Sequence, residues 1–382
     1  MPNRESRMWI IRRLTAVAAC AALSACMSTS ANQPVVVGLL VPYGSGQPGQ
    51  EALADSLVSA AKLAVSEMPD ARMDLRIYPT AGDPAQAAAA ARQAVSEGAK
   101  ILAGPLFAQA ANAAGAAVAS QGINVLSFSN NPGIARDNVF ILGDTFANIA
   151  DRLVGYASAQ GKRTVVGLVR SDAAGDVAIS AIRSAALGNG AQFVGVSRYQ
   201  LSAESTVAAV TATRDLIDRT GASVLIMDAD AAGALPVFAQ LLPENGVSSK
   251  NTQFVGLARW DRTSEQVRKR AGMQGSLFAM PDTTAAIAFS QKFTATYGVG
   301  HHILAGKAYD AVRVIGALLG SGSSDALTRS KLTRRAGFSG SNGVFRLQPD
   351  GTNQRALAVA TFRDGQIVVL DPAPRGFGGT GF

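Results

Sequence analysis

The sequence predicts an α/β chain of two lobes, each a parallel sheet with helices on both faces. Three observations carry that prediction. Short apolar runs alternate with amphipathic stretches in two successive series, the grammar of parallel sheets with crossover helices. The 357 residues after position 25 exceed the length, about 250 to 300 residues, at which a single hydrophobic core stops growing. Towards the C-terminus the rhythm gives way to closely spaced strands with turn residues between them.

Taken in order, Val35–Val41 reads as a strand buried on both faces, 51–67 as a helix, 73–78 as a strand and 84–97 as a helix. The tract Ala87 to Ala91 is a strong helix former. Residues 100–103, 109–120 and 123–128 continue as strand, helix and strand. A second series runs through helix 148–159, strand 164–169, helix 176–187, strand 192–198, helix 207–220, strand 223–227, helix 233–242 and strand Gln253–Gly256. Because such units close their own sheets, the change of lobe is expected near Gly143. Ala305–Leu319 reads as a helix and 343–370 as antiparallel strands, with turns at Pro349-Asp350-Gly351 and Asp364-Gly365. Residues 375–382, rich in glycine, read as a loose tail.

The N-terminus carries a processing signal. Arg12 and Arg13 precede an apolar stretch, 14–23, that closes on Leu23-Ser24-Ala25-Cys26. A run this short does not span a bilayer, and small residues before a cysteine suit signal-peptidase cleavage and lipid attachment to that sulfur. Residues 1–25 are therefore expected to leave as a signal peptide, with Cys26 lipidated and 26–34 forming a tether to the membrane. Cys20 leaves with the signal, so no thiol remains for a disulfide or a metal. Met27 stands where an aspartate would favour retention at the inner membrane, so outer-membrane sorting facing the periplasm is the expectation.

The formal charge is +8, and loss of four arginines against one glutamate leaves about +5 after cleavage. The densest basic cluster, Arg262, Arg268, Lys269 and Arg270, reads as a solvated face. Aromatics make up only 6% of the chain, so the base-stacking pattern of nucleic-acid binders is missing and no nucleic-acid partner is expected.

Gly44-Ser45-Gly46-Gln47-Pro48-Gly49 lies between the first strand and the first helix, as a dinucleotide fingerprint would. Pro48 removes an amide donor, however, and the second strand ends at Tyr78-Pro79 without the acidic residue that would hold a ribose. A loop lining a cleft, with no cofactor, is the better reading. The two histidines, His301 and His302, are adjacent and point to different faces of a helix. No nucleophile elbow or metal-ligand spacing accompanies them, so neither catalysis nor a metal is expected. Asp228 and Asp230 suit either a cleft or a helix cap. Ser127-Phe128-Ser129-Asn130 follows a strand, where parallel sheets bind ligands, although serine and asparagine are also turn formers.

The pattern resembles type I periplasmic binding proteins, the leucine/isoleucine/valine-binding superfamily, through Val37-Gly38-Leu39-Leu40-Val41-Pro42, Gly82-Asp83-Pro84 and Gly104-Pro105-Leu106. That resemblance implies three crossovers between the lobes, near Gly143, Pro281 and Gly340, and a ligand held between them. It implies lobe one from 35–142 with 284–338, and lobe two from 143–283 with 339–374. Amino acid binders of this superfamily place a hydroxyl shortly after the Gly-Pro-Leu element and a threonine after the fourth strand. Here those neighbourhoods hold Phe107-Ala108 and Asn130-Asn131, which costs the charged backbone of a free amino acid a partner.

A closer resemblance, to the penicillin-binding protein activator lipoproteins, rests on Ser127-Phe128-Ser129-Asn130, Phe140-Ile141-Leu142-Gly143, Gly256 with Trp260-Asp261, Gly337-Phe338-Ser339-Gly340, Gly343-Val344-Phe345-Arg346, Pro349-Asp350-Gly351 and Asp371-Pro372-Ala373-Pro374. It implies a lipoprotein that stimulates a peptidoglycan synthase, a penicillin-binding protein, by contact. The leading expectation is thus a non-enzymatic regulator of peptidoglycan synthesis. The alternatives are the solute-binding component of an ABC importer for branched-chain or other amino acids, and a cleft hydrolase acting on wall fragments. The residues expected at the cleft are Gly44, Ser45, Gly46, Gln47, Phe107, Ser127, Ser129 and Asn130 from one lobe, with Asp144, Asp172 and Trp260 from the other.

Overall fold

The computed structural model describes residues 33–323 and 325–377, so Cys26, the signal segment and positions 378–382 of the tail lie outside the described residues. The first lobe is built from β1 (Val35–Val41), helix α1 (Pro48–Ser66), β2 (Met73–Pro79), α2 (Pro84–Ser96), β3 (Ile101–Ala103), α3 (Ala108–Val118), β4 (Asn124–Ser127) and β5 (Val139–Ile141). Its strands lie in the order β2-β1-β3-β4-β5, all parallel. Both faces are covered, which is why β1 reads as an unbroken apolar run. On one face Leu53 and Leu57 of α1 pack against Leu39 and Val41; on the other the alanines of α2 and α3 pack against Leu40, Leu102 and Val125. Alanine is needed there because the helices approach the sheet closely: a Cβ on Gly38 would lie 3.1 Å from the Ala94 methyl of α2.

The second lobe comprises α4 (Phe146–Ala159), β6 (Thr164–Arg170), α5 (Ala173–Gly188), β7 (Gln192–Tyr199), α6 (Ala203–Thr220), β8 (Val224–Met227), α7 (Leu235–Glu244), β9 (Gln253–Gly256) and β10 (Leu277–Met280). The chain then returns to the first lobe with α8 (Thr283–Tyr297) and α9 (Ala305–Leu319), where Phe289, Phe293, Val312 and Ile315 complete the core around α1. A small antiparallel sheet, β11 (Phe338–Gly340), β12 (Gly343–Leu347) and β13 (Asn353–Arg355), follows. Finally β14 (Ala358–Arg363) and β15 (Gln366–Asp371) add antiparallel strands to the second sheet, giving β15-β14-β10-β9-β8-β6-β7.

The architecture is therefore α/β with two lobes, mostly parallel sheets and three crossings. The crossings fall between Ile141 and Phe146, between Met280 and Thr283, and between Arg355 and Ala358. The resemblance placed the first two near Gly143 and Pro281. The third does not lie at Gly340. Alternate residues of β12 are buried, and Phe345 and Leu347 insert into the first core beside Phe338, so 339–355 pack with lobe one and the chain changes lobe about fifteen residues later. Residues 257–304, where no element was expected beyond Gly256, contain β10 and α8.

Candidate functional site

In open parallel sheets the space beyond the carboxyl ends of the strands receives ligands, and both lobes point those ends at one cleft. The floor on the first lobe comes from the turns after β3 and β4. Gly104 takes φ +86°, and a Cβ there would collide with the Leu40 carbonyl, so glycine lets this turn lie against β1. Ser127 braces it: its hydroxyl donates to the Pro105 carbonyl at 2.9 Å and accepts the Ser129 amide at 3.1 Å. The second lobe contributes the segment after β9, and α8 and α9 close the side.

Together these enclose an open cavity of about 880 Å³, lined from both lobes. Its walls are largely apolar, with Phe107, Phe146, Leu257, Met280, Ile287 and Ile303 among them. Five charged side chains line it, namely Asp144, Arg259, Asp261, Arg262 and Lys307.

Asp144 sits on the first crossing and joins a buried network. Lys307 Nζ donates to its Oδ1 at 2.8 Å, and Arg355 Nε lies 3.1 Å from the same oxygen. The Arg355 guanidinium also contacts Asp310 Oδ2 at 3.2 Å and donates to the Leu142 carbonyl at 2.5 Å, while its plane covers the Phe345 ring. Asp310 in turn accepts the Ser341 amide at 2.6 Å. Burial alone would raise the Asp144 carboxyl, but Lys307 and then Arg355 hold it well below the usual carboxylate range. Lys307 is pushed down by burial and by Arg355, with Asp144 opposing the shift. An amide ladder lies beside this network: Asn353 donates to the carbonyls of Ile141 and Gly143, both at 2.9 Å, and Asn148 donates to Asn353 Oδ1 at 3.0 Å. The first and third crossings are thereby stitched together.

Nearer the rim of the second lobe, Arg259 grips Asp261 with both arms of its fork, at 2.8 and 2.7 Å. Arg262 also lines the cavity, and its guanidinium makes no hydrogen bond or ion pair among the described residues. Burial and the neighbouring Arg259 push its guanidinium below the ordinary arginine value.

Of the residues expected at the cleft, Phe107, Ser129, Asn130 and Asp144 line the cavity. The others do not, each for a local reason. In the 44–47 loop, the amides of Gly44 and Ser45 donate to Glu51 Oε1 at 3.0 Å each and Gln47 donates to Ser45 Oγ, so the would-be anion cradle is spent on the start of its own helix. Ser127 is fully buried under the turn it braces. Asp172 caps α5 by accepting the Gly175 amide at 2.9 Å. Trp260 is fully buried, its indole donating to the Ala229 carbonyl at 2.9 Å and its ring occupying the space over Gly256 that a Cβ would fill.

Asp228 and Asp230 do not form a cleft pair either. Asp228 is buried beneath the Arg170 amide and the Tyr199 hydroxyl, and Asp230 accepts the Gly233 amide. His301 does reach the cavity, stacked near Phe289, but its Nδ1 faces the His302 carbonyl at 2.9 Å. Sequence reading missed Lys307, Arg259 and Arg262, together with Arg355 and Asp310 behind the wall. A signal existed for two of them. Lys307 and Asp310 stand three apart on the same side of a largely apolar helix, a placement that obliges buried partners.

The sequence profile of the family described as periplasmic binding protein matches residues 34–366. Among solved structures, one from Rhodospirillum rubrum, provisionally described as a branched-chain amino acid ABC transporter, superposes with a TM-score of 0.74 at 18% identity, covering 88% of this chain and all of that one. A branched chain amino acid ABC transporter periplasmic ligand-binding protein from Burkholderia xenovorans gives 0.69 at 17% identity, covering 89% and 96%. A solute binding protein of an ABC transporter from R. palustris, in complex with benzoate, gives 0.57 at 17%, covering 91% and 98%. At these identities the likeness carries the fold alone. No curated protein matches the sequence.

Proposed function

The chain belongs to the periplasmic binding protein family, and from that premise we propose that it captures a small organic solute between its lobes as the solute-binding component of an ABC importer. The observation that carries this reading is a cavity walled by both lobes, between which the chain crosses at three points. A solute that touches both walls favours the closed arrangement by its differential affinity, and the crossings are the hinge. The similar structures from transporters support the assignment, including one that holds benzoate. In this reading the protein acts by binding: both carboxylates at the cavity, Asp144 and Asp261, are held in ion pairs with Lys307, Arg355 and Arg259. Cys26 would tether it by lipid to the envelope, facing the periplasm. Among the described residues, no helix is long and apolar enough to cross a membrane.

A second reading, contact regulation of a peptidoglycan synthase in the manner of penicillin-binding protein activators, is favoured by one specific observation. Phe107 and Asn130 occupy the cavity positions where amino acid binders of this fold place hydroxyls, so the cleft is poorly equipped for their usual ligand.

Thermal melting of residues 26–382 against a panel of amino acids and small carboxylates decides between them. A ligand at one hundred times its Kd stabilises by about 2.7 kcal/mol, a shift of several degrees, and small-angle scattering should then show compaction. No shift across the panel, with raised synthase activity on adding the protein, would favour the regulator and defeat the importer.

A further inference from the structure

We propose that the cleft selects an organic monoanion, a carboxylate on an apolar body, over a zwitterionic amino acid, with Arg262 as the partner of the anionic group. This rests on the solute-binding reading and deepens it. Of the charged side chains lining the cavity three are cationic and two anionic, and adding Arg355 and Asp310 behind the wall leaves the same single excess positive charge. That excess is located. Asp261 is taken by the fork of Arg259, and Asp144 by Lys307 and Arg355, while Arg262 faces the same cavity without a partner among the described residues.

The two halves of an amino acid therefore meet unequal receptions. A carboxylate finds a guanidinium with no hydrogen-bonded partner, whose charge burial and Arg259 disfavour more than Asp261 and Asp144 restore, and which an anion relieves. An ammonium finds no uncommitted carboxylate. To gain one it must displace Lys307 or Arg259 from its partner and leave that cation unpaired in a closed cleft. The rest of the ligand is specified by the walls. Ile287 and Ile303 line the cavity yet are 56% and 44% exposed, apolar surface that a ligand body would cover beside Phe107 and Phe146.

A charge series on constant bodies tests this. Calorimetry on residues 26–382 would compare 3-phenylpropanoate, phenylalanine and 2-phenylethylamine, and likewise 4-methylpentanoate, leucine and 3-methylbutylamine. Affinity is expected to fall in that order within each trio. Arg262→Gln should weaken the carboxylates about 10- to 100-fold, and Arg262→Lys, which keeps the charge, should preserve the order. Arg262 is exposed overall, so neither variant threatens folding. An amino acid binding as tightly as its carboxylate, or Arg262→Gln leaving carboxylate affinity within about twofold, overturns the inference and leaves the importer reading standing. Binding of none of the six also overturns it, and the importer reading falls only if the wider panel fails as well.

Discussion

Two charged clusters border the same cavity and are built in opposite ways. Asp144, Lys307, Arg355 and Asp310 form a chain of ion pairs at the crossings, with Lys307, Arg355 and Asp310 almost wholly buried. Arg259, Asp261 and Arg262 sit at the rim of the second lobe, partly open to solvent, with one cation over. In the first cluster every charge is paired within the protein, so it fixes where the lobes join. In the second the pairing is incomplete, which makes it the part able to respond to a ligand. The contrast separates charges that hold the architecture from charges that await a partner, and substitutions in each cluster should differ by a large factor in stability.

The largest effect belongs to Asp310, which is fully buried. Asp310→Ala strips Arg355 of one carboxylate and the Ser341 amide of its acceptor. Breaking a buried pair from one side typically costs about 3 to 5 kcal/mol. A urea midpoint close to that of the unmodified chain would show that Asp144 alone can satisfy Arg355. The double variant Asp310→Leu with Arg355→Met should recover much of the loss, since removing both charges leaves neither uncompensated.

Asp144 comes next, and its effect depends on pH. Its folded carboxyl is held low, so the stability it contributes is complete above the unfolded value of about 4 and drains away as pH falls towards the folded one. Asp144→Asn should therefore cost on the order of 2 kcal/mol at pH 7, with the gap in melting temperature narrowing as pH is taken below 4. A gap independent of pH would mean that shape, and not charge, is what Asp144 supplies.

Gly340 tests the same cluster sterically. A Cβ at this position would meet the Asp310 carboxyl, which cannot retreat without leaving Arg355. Gly340→Ala should cost about 1 to 3 kcal/mol, as overpacking does in tight interiors. No cost in thermal unfolding would show the network to be looser than its distances indicate.

How much of this was legible in the sequence follows from what each residue's position depends on. Strands such as Gln253–Gly256 stand out because β-branched and aromatic runs between turn residues are a local signal. Ser129 and Asn130, which line the cavity, were expected there because they closely follow a strand of the first sheet, and the rule that ligands lie beyond strand ends needs only local information. Lys307 and Arg355 were missed because they reach Asp144 across separations of 163 and more than 200 positions, a proximity created by the crossings. Helix α8 escaped because it buries only Phe289 and Phe293, so its apolar period is faint. Trp260 was misplaced for a different reason. An aromatic near a strand end reads equally well as a cleft wall or a core wedge, and only the missing side chain at Gly256, four residues earlier, marks it as the wedge.

The smallest effect is expected where the comparison is sharpest. Arg262 lines the cavity but supports nothing within the described residues, so Arg262→Gln should change unfolding stability by no more than about 0.5 kcal/mol, an order of magnitude below Asp310→Ala. A loss above about 1 kcal/mol in the ligand-free protein would place Arg262 with the structural charges and erase the distinction between the two clusters. A neutral result in the same denaturation series is what a group held in reserve for a ligand requires, because a cation that the fold does not use can be removed without the fold registering it.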